Sequence, residues 1–142
     1  MELKEKIRNL VEIALSIENK HYEIILSHLP KYQAQIIETQ IGVDLTGVER
    51  ILDTYGIKHT IKEHGSEKTE LLRGQLPINI DDFELIPKII QTENVKYSGK
   101  NSLKQDVFVF ERRIGNLYFI VEAVRFSKKG NKLVFQTLFK RK

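Results

Sequence analysis

No cysteine occurs among the 142 residues, which excludes disulfides, thiolate nucleophiles and cysteine-based zinc sites. No apolar run approaches the roughly 18–20 residues that cross a bilayer, so a membrane is not an expected partner. The opening Met1-Glu2-Leu3-Lys4-Glu5-Lys6 lacks the apolar stretch of a signal peptide, and the cytoplasm is the expected site of action. Proline and glycine are few, 3 and 8, and neither a repeat nor an interdomain linker is evident. A single domain over residues 1–142 follows, long enough to bury a core. Histidine is scarce as well: four side chains are all the chain has for imidazole proton transfer near neutral pH.

The net charge of +4 conceals an asymmetry. Residues 96–142 hold 12 Lys+Arg against 3 Asp+Glu, and residues 1–95 hold 11 against 16. A basic C-terminal third is the electrostatic footprint of a polyanion partner, or else a solvated basic face with a charged tail.

Apolar spacings of three and four at Leu3, Ile7, Leu10, Val11, Ala14, Leu15 and Ile17 predict amphipathic helix over about 3–28, as one helix or two, closed by Pro30. Lys31–Thr39 reads as a short helix or a connection, and Ile41–Leu45 as a short strand or extended segment. A second helix is expected from Thr46 or Gly47 to His64, with Thr46 and Glu49 as a capping box and Gly65 ending it. Residues 65–80 read as a loop. Asp81 or Asp82 then caps a short helix that Pro87 breaks or kinks. Beyond residue 106 the period changes to two. Strands from Val107, over Leu117–Phe126 and over Lys132–Lys140, joined at Gly115 and Gly130, predict an antiparallel meander. The expected class is α+β, with N-terminal helices packed on a small antiparallel C-terminal sheet. Within it, residues 1–43 form a helical extension and 44–142 the core.

His59, His64 and Arg73 are the densest grouping of reactive side chains. Five residues on a helix turn about 500°, leaving His59 and His64 roughly 140° apart, which argues against a shared metal. The alternatives are one buried and one solvated histidine, or one histidine freed at the helix end for proton transfer; Gly65 favours His64. Arg73-Gly74-Gln75 offers a forked donor and close backbone approach to phosphate. Tyr97-Ser98-Gly99-Lys100 lacks the full phosphate-loop pattern, leaving Tyr97 to touch a base and Lys100 a phosphate, or a plain turn. Glu122, Arg125, Gln136, Thr137 and Lys140 interrupt or flank the apolar strands. Alternation puts Arg125 at the end of an apolar face, where it reaches solvent or lines a cleft. No metal or cofactor is called for. His, Arg, Lys and Thr suit metal-independent RNA cleavage, in which a base takes the 2′-OH proton and cations stabilise the phosphorane.

The order His59-x-x-x-x-His64-Gly65, Arg73-Gly74-Gln75-Leu76-Pro77-Ile78, Asp82-Phe83-x-x-Ile86-Pro87, Tyr97-Ser98-Gly99-Lys100, Val121-Glu122-Ala123-Val124-Arg125 and Thr137-Leu138-Phe139-Lys140 resembles phage and mobile-element nucleases of the barnase–EndoU–colicin–RelE (BECR) superfamily, over about residues 44–140. The resemblance implies RNA, often tRNA, bound across the sheet, and a toxin-like role with a cognate immunity or antitoxin protein. It implies His59 or His64, Arg73, Arg125 and Thr137 as site residues, with Lys140 contacting the backbone. Ala123 stands where many relatives carry a second acidic residue. The function expected is therefore a metal-independent endoribonuclease. The rivals are a non-catalytic RNA- or DNA-binding module and a protein-interaction domain.

Overall fold

The computed structural model describes residues 1–142. In chain order the elements are α1 (Leu3–Leu15), β1 (Glu23–His28), α2 (Lys31–Ile41), β2 (Glu49–Asp53), α3 (Thr54–His64) and α4 (Glu67–Leu72). A 3-10 turn (Ile80–Leu85) and α5 (Ile86–Ile89) follow, then β3 (Val95–Lys100), β4 (Asp106–Ile114), β5 (Asn116–Arg125) and β6 (Lys132–Arg141). The class is α+β, with a single six-stranded sheet in the order β1-β2-β6-β5-β4-β3. β3 to β6 form the expected meander, enlarged by β3, and Gly115 at φ 73° makes the tight β4–β5 turn. The β1–β2 pair joins it through a parallel β2–β6 ladder limited to Glu49–Ile51 against Lys132–Val134.

Several expectations for the helical half are corrected. Helix does not run to residue 28: α1 ends at Leu15, Ile17 is exposed, and Glu23–His28 is a strand. Ile24-Ile25-Leu26 is a short apolar run whose period cannot separate helix from strand. Residues 1–43 are therefore not a helical extension, since β1 is the sheet's edge strand. The second helix starts at Thr54, because Glu49–Asp53 pairs in the sheet; Asp53 caps it, accepting the Gly56 N–H at 2.8 Å. Thr46 instead donates its hydroxyl to Asp44 at 2.6 Å. Residues 65–80 contain α4, and Asn79, not Asp81 or Asp82, caps the 3-10 turn in a box with Asp82.

Both large core clusters lie on one face of the sheet, while Ile51, Ala123 and Val134, paired across β2, β5 and β6, are buried on the other. α1 brings Ile7, Leu10 and Val11 onto Leu52, Ile57, Phe83, Ile86, Ile120, Phe135 and Leu138. α2 brings Ala34 and Ile37 onto Phe108, Phe110, Val124 and Leu133. Arg50, 1% exposed, and Glu122, 0% exposed, are buried in this layer. The Arg50 Nε lies 3.1 Å from Glu122 Oε1, its Nη1 donates to Gln33 Oε1 at 2.6 Å, and its guanidinium covers Phe110. A buried ion pair tolerates the loss of water only when its remaining donors and acceptors are met, as here. Alternation places Val107, Val109, Phe119, Val121, Thr137 and Phe139 on the opposite face, half-buried and outside both core clusters.

Candidate acid–base centre and nucleic-acid interface

β6 loses its parallel neighbour after Val134, and α3 takes up the vacated edge. Thr60, buried on α3, donates to the Gly56 carbonyl at 2.9 Å and accepts the Leu138 N–H at 3.2 Å. A ladder amide that β2 does not reach is thereby satisfied. At the far end Leu76 takes over, its N–H donating to the Lys140 carbonyl at 2.9 Å. Gln136 is the extra residue of a bulge, since Val121 pairs with Thr137 and Glu122 with Phe135. Bulges re-aim side chains and favour sites.

Running beside β6, α3 sends its two histidines in different directions. Five residues separate them by about 7.5 Å along the helix and roughly 140° around it, so each meets its own neighbours. His64 sits in the last turn. Its Nδ1 lies 3.1 Å from Glu70 Oε2, and Glu70 is 0% exposed. The other carboxylate oxygen of Glu70 accepts from Arg73 Nη1 at 3.1 Å, and Arg73 also donates to the Glu63 carbonyl at 2.8 Å. α4 makes this possible: Glu70 and Arg73 are three apart at its C-terminal end, and Gly74 at φ 71° turns the chain back. With Nδ1 engaged by a carboxylate, Nε2 is the nitrogen left for a substrate. The His64 ring tilts on Phe139 with centroids 5.4 Å apart; Phe139 stacks on Phe119 at 4.7 Å, and the Arg141 guanidinium lies 5.5 Å from the Phe119 ring. The imidazole is thus held at its edge by Glu70 and on its face by Phe139.

His59 is exposed and borders a pocket of about 280 Å³ with Asp53, Tyr55, Gly56, Phe135 and Gln136. Asp53 Oδ2 lies 3.1 Å from His21 Nε2, and His21 stacks on Tyr55 at 4.8 Å.

The remaining candidates are distributed differently. Thr137 lies on the outer face, its hydroxyl 3.4 Å from that of Thr60. Arg125 pairs with Lys132 at the other end of β5, four residues beyond the partner of Thr137, or roughly 13 Å along the strand. It does not join His64 and Arg73. Lys140 faces the core side, 7% exposed, with Nζ 2.8 Å from Asp82 and above the Tyr118 ring. A phosphate on the outer face is out of its reach. Tyr97 donates to Asp106 at 2.7 Å and Lys100 lies 3.9 Å from the same carboxylate. Both are on β3, three strand spacings from β6, or roughly 14 Å. Burial and the bond to Asp82 push the Tyr118 phenol up to about 12, and the bond to Asp106 raises that of Tyr97.

Glu70, Phe139 and His21 are participants that sequence reasoning missed. Glu70-x-x-Arg73 is a helical i,i+3 pair, a signal concealed by reading the segment as loop. Phe139 was visible only as one of several strand aromatics, and nothing local marks His21.

No helix is long and apolar enough to cross a membrane. No curated protein and no solved structure matches the chain. The family model described as phage-Barnase-EndoU-ColicinE5/D-RelE like nuclease3 matches residues 28–142, a span that contains β2 to β6 entire, the last residue of β1 and both histidines of α3. A helix-supported sheet carrying a buttressed histidine on its open face is therefore, by fold and by family, a BECR domain: the chain belongs to the phage barnase–EndoU–colicin E5/D–RelE-like nucleases.

Proposed function

We propose that the protein is an endoribonuclease that cleaves RNA without a metal ion, by attack of a ribose 2′-oxygen on the adjacent phosphorus. The observation that carries this reading is His64, clamped by the Glu70–Arg73 pair and Phe139 at the rim of the open sheet face. His64 Nε2 takes the 2′-OH proton and the 2′-oxygen forms its bond to phosphorus. The P–O5′ bond breaks, and water delivers a proton to O5′. The products are a 2′,3′-cyclic phosphate and a 5′-hydroxyl. Glu70 orients the imidazole and stabilises its charged form. Arg73 supplies positive charge to the phosphorane, and Thr137 a hydrogen bond on the same face. Arg125, Lys132 and Arg141 extend the cationic surface along which RNA lies. The protein acts in this reading as a toxin-like enzyme of the cytoplasm, on RNA that includes tRNA, with a cognate inhibitor.

Incubation with total RNA in EDTA tests it. Wild-type protein is expected to release fragments ending in cyclic phosphate, and His64→Ala to be slower by about 10²–10⁴-fold. Glu70→Gln keeps a hydrogen-bond acceptor but loses the charge, and falls between them. Cleavage that requires added metal overturns the mechanism. RNA retained without cleavage, and released at raised salt, replaces it with a binding module.

A further inference from the structure

The end of the sheet far from His64 carries charge that the acid–base step does not use. The hairpin between β5 and β6, Arg125-Phe126-Ser127-Lys128-Lys129-Gly130-Asn131-Lys132, holds four cations and no acid. Of the four, Lys132 alone is in an ion pair, with Glu49 at 3.1 Å. Arg125, Lys128 and Lys129 are left to solvent or to a ligand. The turn itself is fixed by Ser127. Its carbonyl accepts the Gly130 N–H at 3.1 Å, its hydroxyl accepts the Lys129 N–H at 3.2 Å, and its own N–H donates to Asn131 Oδ1 at 3.3 Å. Lys128 and Lys129 therefore stand, exposed, on a backbone that does not have to be ordered by binding. Phe126, 52% exposed, lies beside them, with nothing apolar gained by its position.

Unpaired cations around an exposed aromatic ring are what a nucleic-acid strand requires: phosphates meet the lysines and a base stacks on the ring. This contact is separate from the one at His64. Lys132 and Phe139, which touches His64, are seven residues apart on β6, one of them the bulged Gln136. Six ladder steps put them roughly 20 Å apart, and the turn lies farther out. Between the two ends Ile51, Ala123 and Val134 are buried on the outer face and offer a phosphate no donor. A ligand that uses both ends has to bridge this stretch, which at 3.4 Å per nucleotide of a helical strand takes about six nucleotides.

We propose that the β5–β6 hairpin is a second RNA contact, which grips the substrate about six nucleotides or more from the scissile bond through Lys128, Lys129 and Phe126. The proposal rests on the endoribonuclease reading and narrows its substrate class to strands long enough to reach both ends of the sheet. Short oligonucleotides occupy the acid–base centre alone.

Two measurements on the full chain test it. In the first, rates in EDTA are compared for mixed-sequence oligoribonucleotides of about four and about twenty nucleotides, shorter and longer than the bridge. The longer substrate is expected to show the higher kcat/KM. Lys128→Gln/Lys129→Gln is expected to raise KM on it without lowering kcat, and to leave the short substrate as in wild type. Lys6→Gln/Lys20→Gln removes the same charge from exposed positions elsewhere and is expected to match wild type on both. In the second, a fluorescent strand of 2′-O-methyl nucleotides, again about twenty long and lacking the attacking hydroxyl, is bound at rising salt. The lysine double variant is expected to bind about 25-fold more weakly at about 0.1 M salt, with a log–log salt slope shallower by about 1.4, or about 0.7 for each lost phosphate contact. Phe126→Ala is expected to weaken binding about 5–150-fold, the loss of one stacked base. Unchanged binding and KM in the folded lysine variant overturn the proposal, and so does an equal loss on short and long substrates. Lost attachment to phosphatidylserine vesicles with RNA binding intact also overturns it, and makes the hairpin a membrane contact. Hairpin-dependent binding of the methylated strand with no cleavage of any RNA sustains the contact and overturns the nuclease reading instead.

Discussion

Tyr118, Asp82 and Lys140 meet where the 3-10 turn crosses β5 and β6, with the phenol donating to Asp82 Oδ1 at 2.8 Å. The phenol loses its proton only near 12 in the folded protein, against an ordinary 10.0. Below about pH 10 both folded and unfolded chains keep that proton. Between 10 and 12 the unfolded chain releases it and the folded one does not, so stability falls as pH rises through this window. Comparison of urea midpoints for wild type and Tyr118→Phe is expected to show the wild-type advantage full below pH 10 and shrinking towards 12. An advantage that grows with pH would contradict it. Tyr97→Phe is the companion variant, because the Tyr97 phenol is raised as well, chiefly by Asp106. At this scale the sequence is informative about His64, since Gly65 and Arg73 mark its surroundings. It is misleading about Lys140, because the parity of one strand position decides between core and open face. The bulge at Gln136 changes that parity along β6, and no local signal announces it.

The junction of α3 and β6 depends on two small side chains. Gly56 lies against Phe135, and a Cβ there would stand 2.6 Å from Phe135 Cδ1 and 2.8 Å from its carbonyl oxygen. The helical preference for alanine, about 1 kcal/mol, is opposed by this overlap, so Gly56→Ala is expected to destabilise by about 1–3 kcal/mol. Thr60→Val removes the acceptor of the Leu138 amide and is expected to cost a similar amount. Denaturant melts measure both, and a stabilised Gly56→Ala would show that the helix does not approach β6 as closely as described. The elements read correctly from the sequence are those with long, unbroken periods: α1 up to Leu15, β4, β5 and β6. Glu49–Asp53 was misread because Val48, Ile51 and Leu52 satisfy a helical stripe as well as a strand. Arg50, a charged residue facing the core, breaks the two-residue alternation that would have identified β2. The partner that makes its burial tolerable, Glu122, is 72 positions away.

For the molecule as a whole, the family-matched region is smaller than the unit that holds the core together. α1 fills the middle of the larger cluster with Ile7, Leu10, Val11 and Ala14, all upstream of residue 28. A fragment of residues 28–142 is expected to lose its cooperative thermal transition and to bind a hydrophobic dye, because Leu52, Ile57, Phe83 and Ile120 lose their cover. A sharp transition in that fragment would show the N-terminal segment to be dispensable. The α+β class and the order of the basic meander were legible from composition and period. The parallel β2–β6 contact was not, because it depends on residues some eighty positions apart and involves three rungs.

That contact gives β6 a keystone position. β1 and β2 on one side, and β3 to β5 on the other, share no strand pairing except through Lys132–Arg141. During synthesis the ribosome produces His21, Asp53, His59, His64, Glu70 and Arg73 well before the strand that assembles them. A nascent chain interrupted between residues 73 and 132 carries all of these side chains without the strand that joins the two halves of the sheet around them.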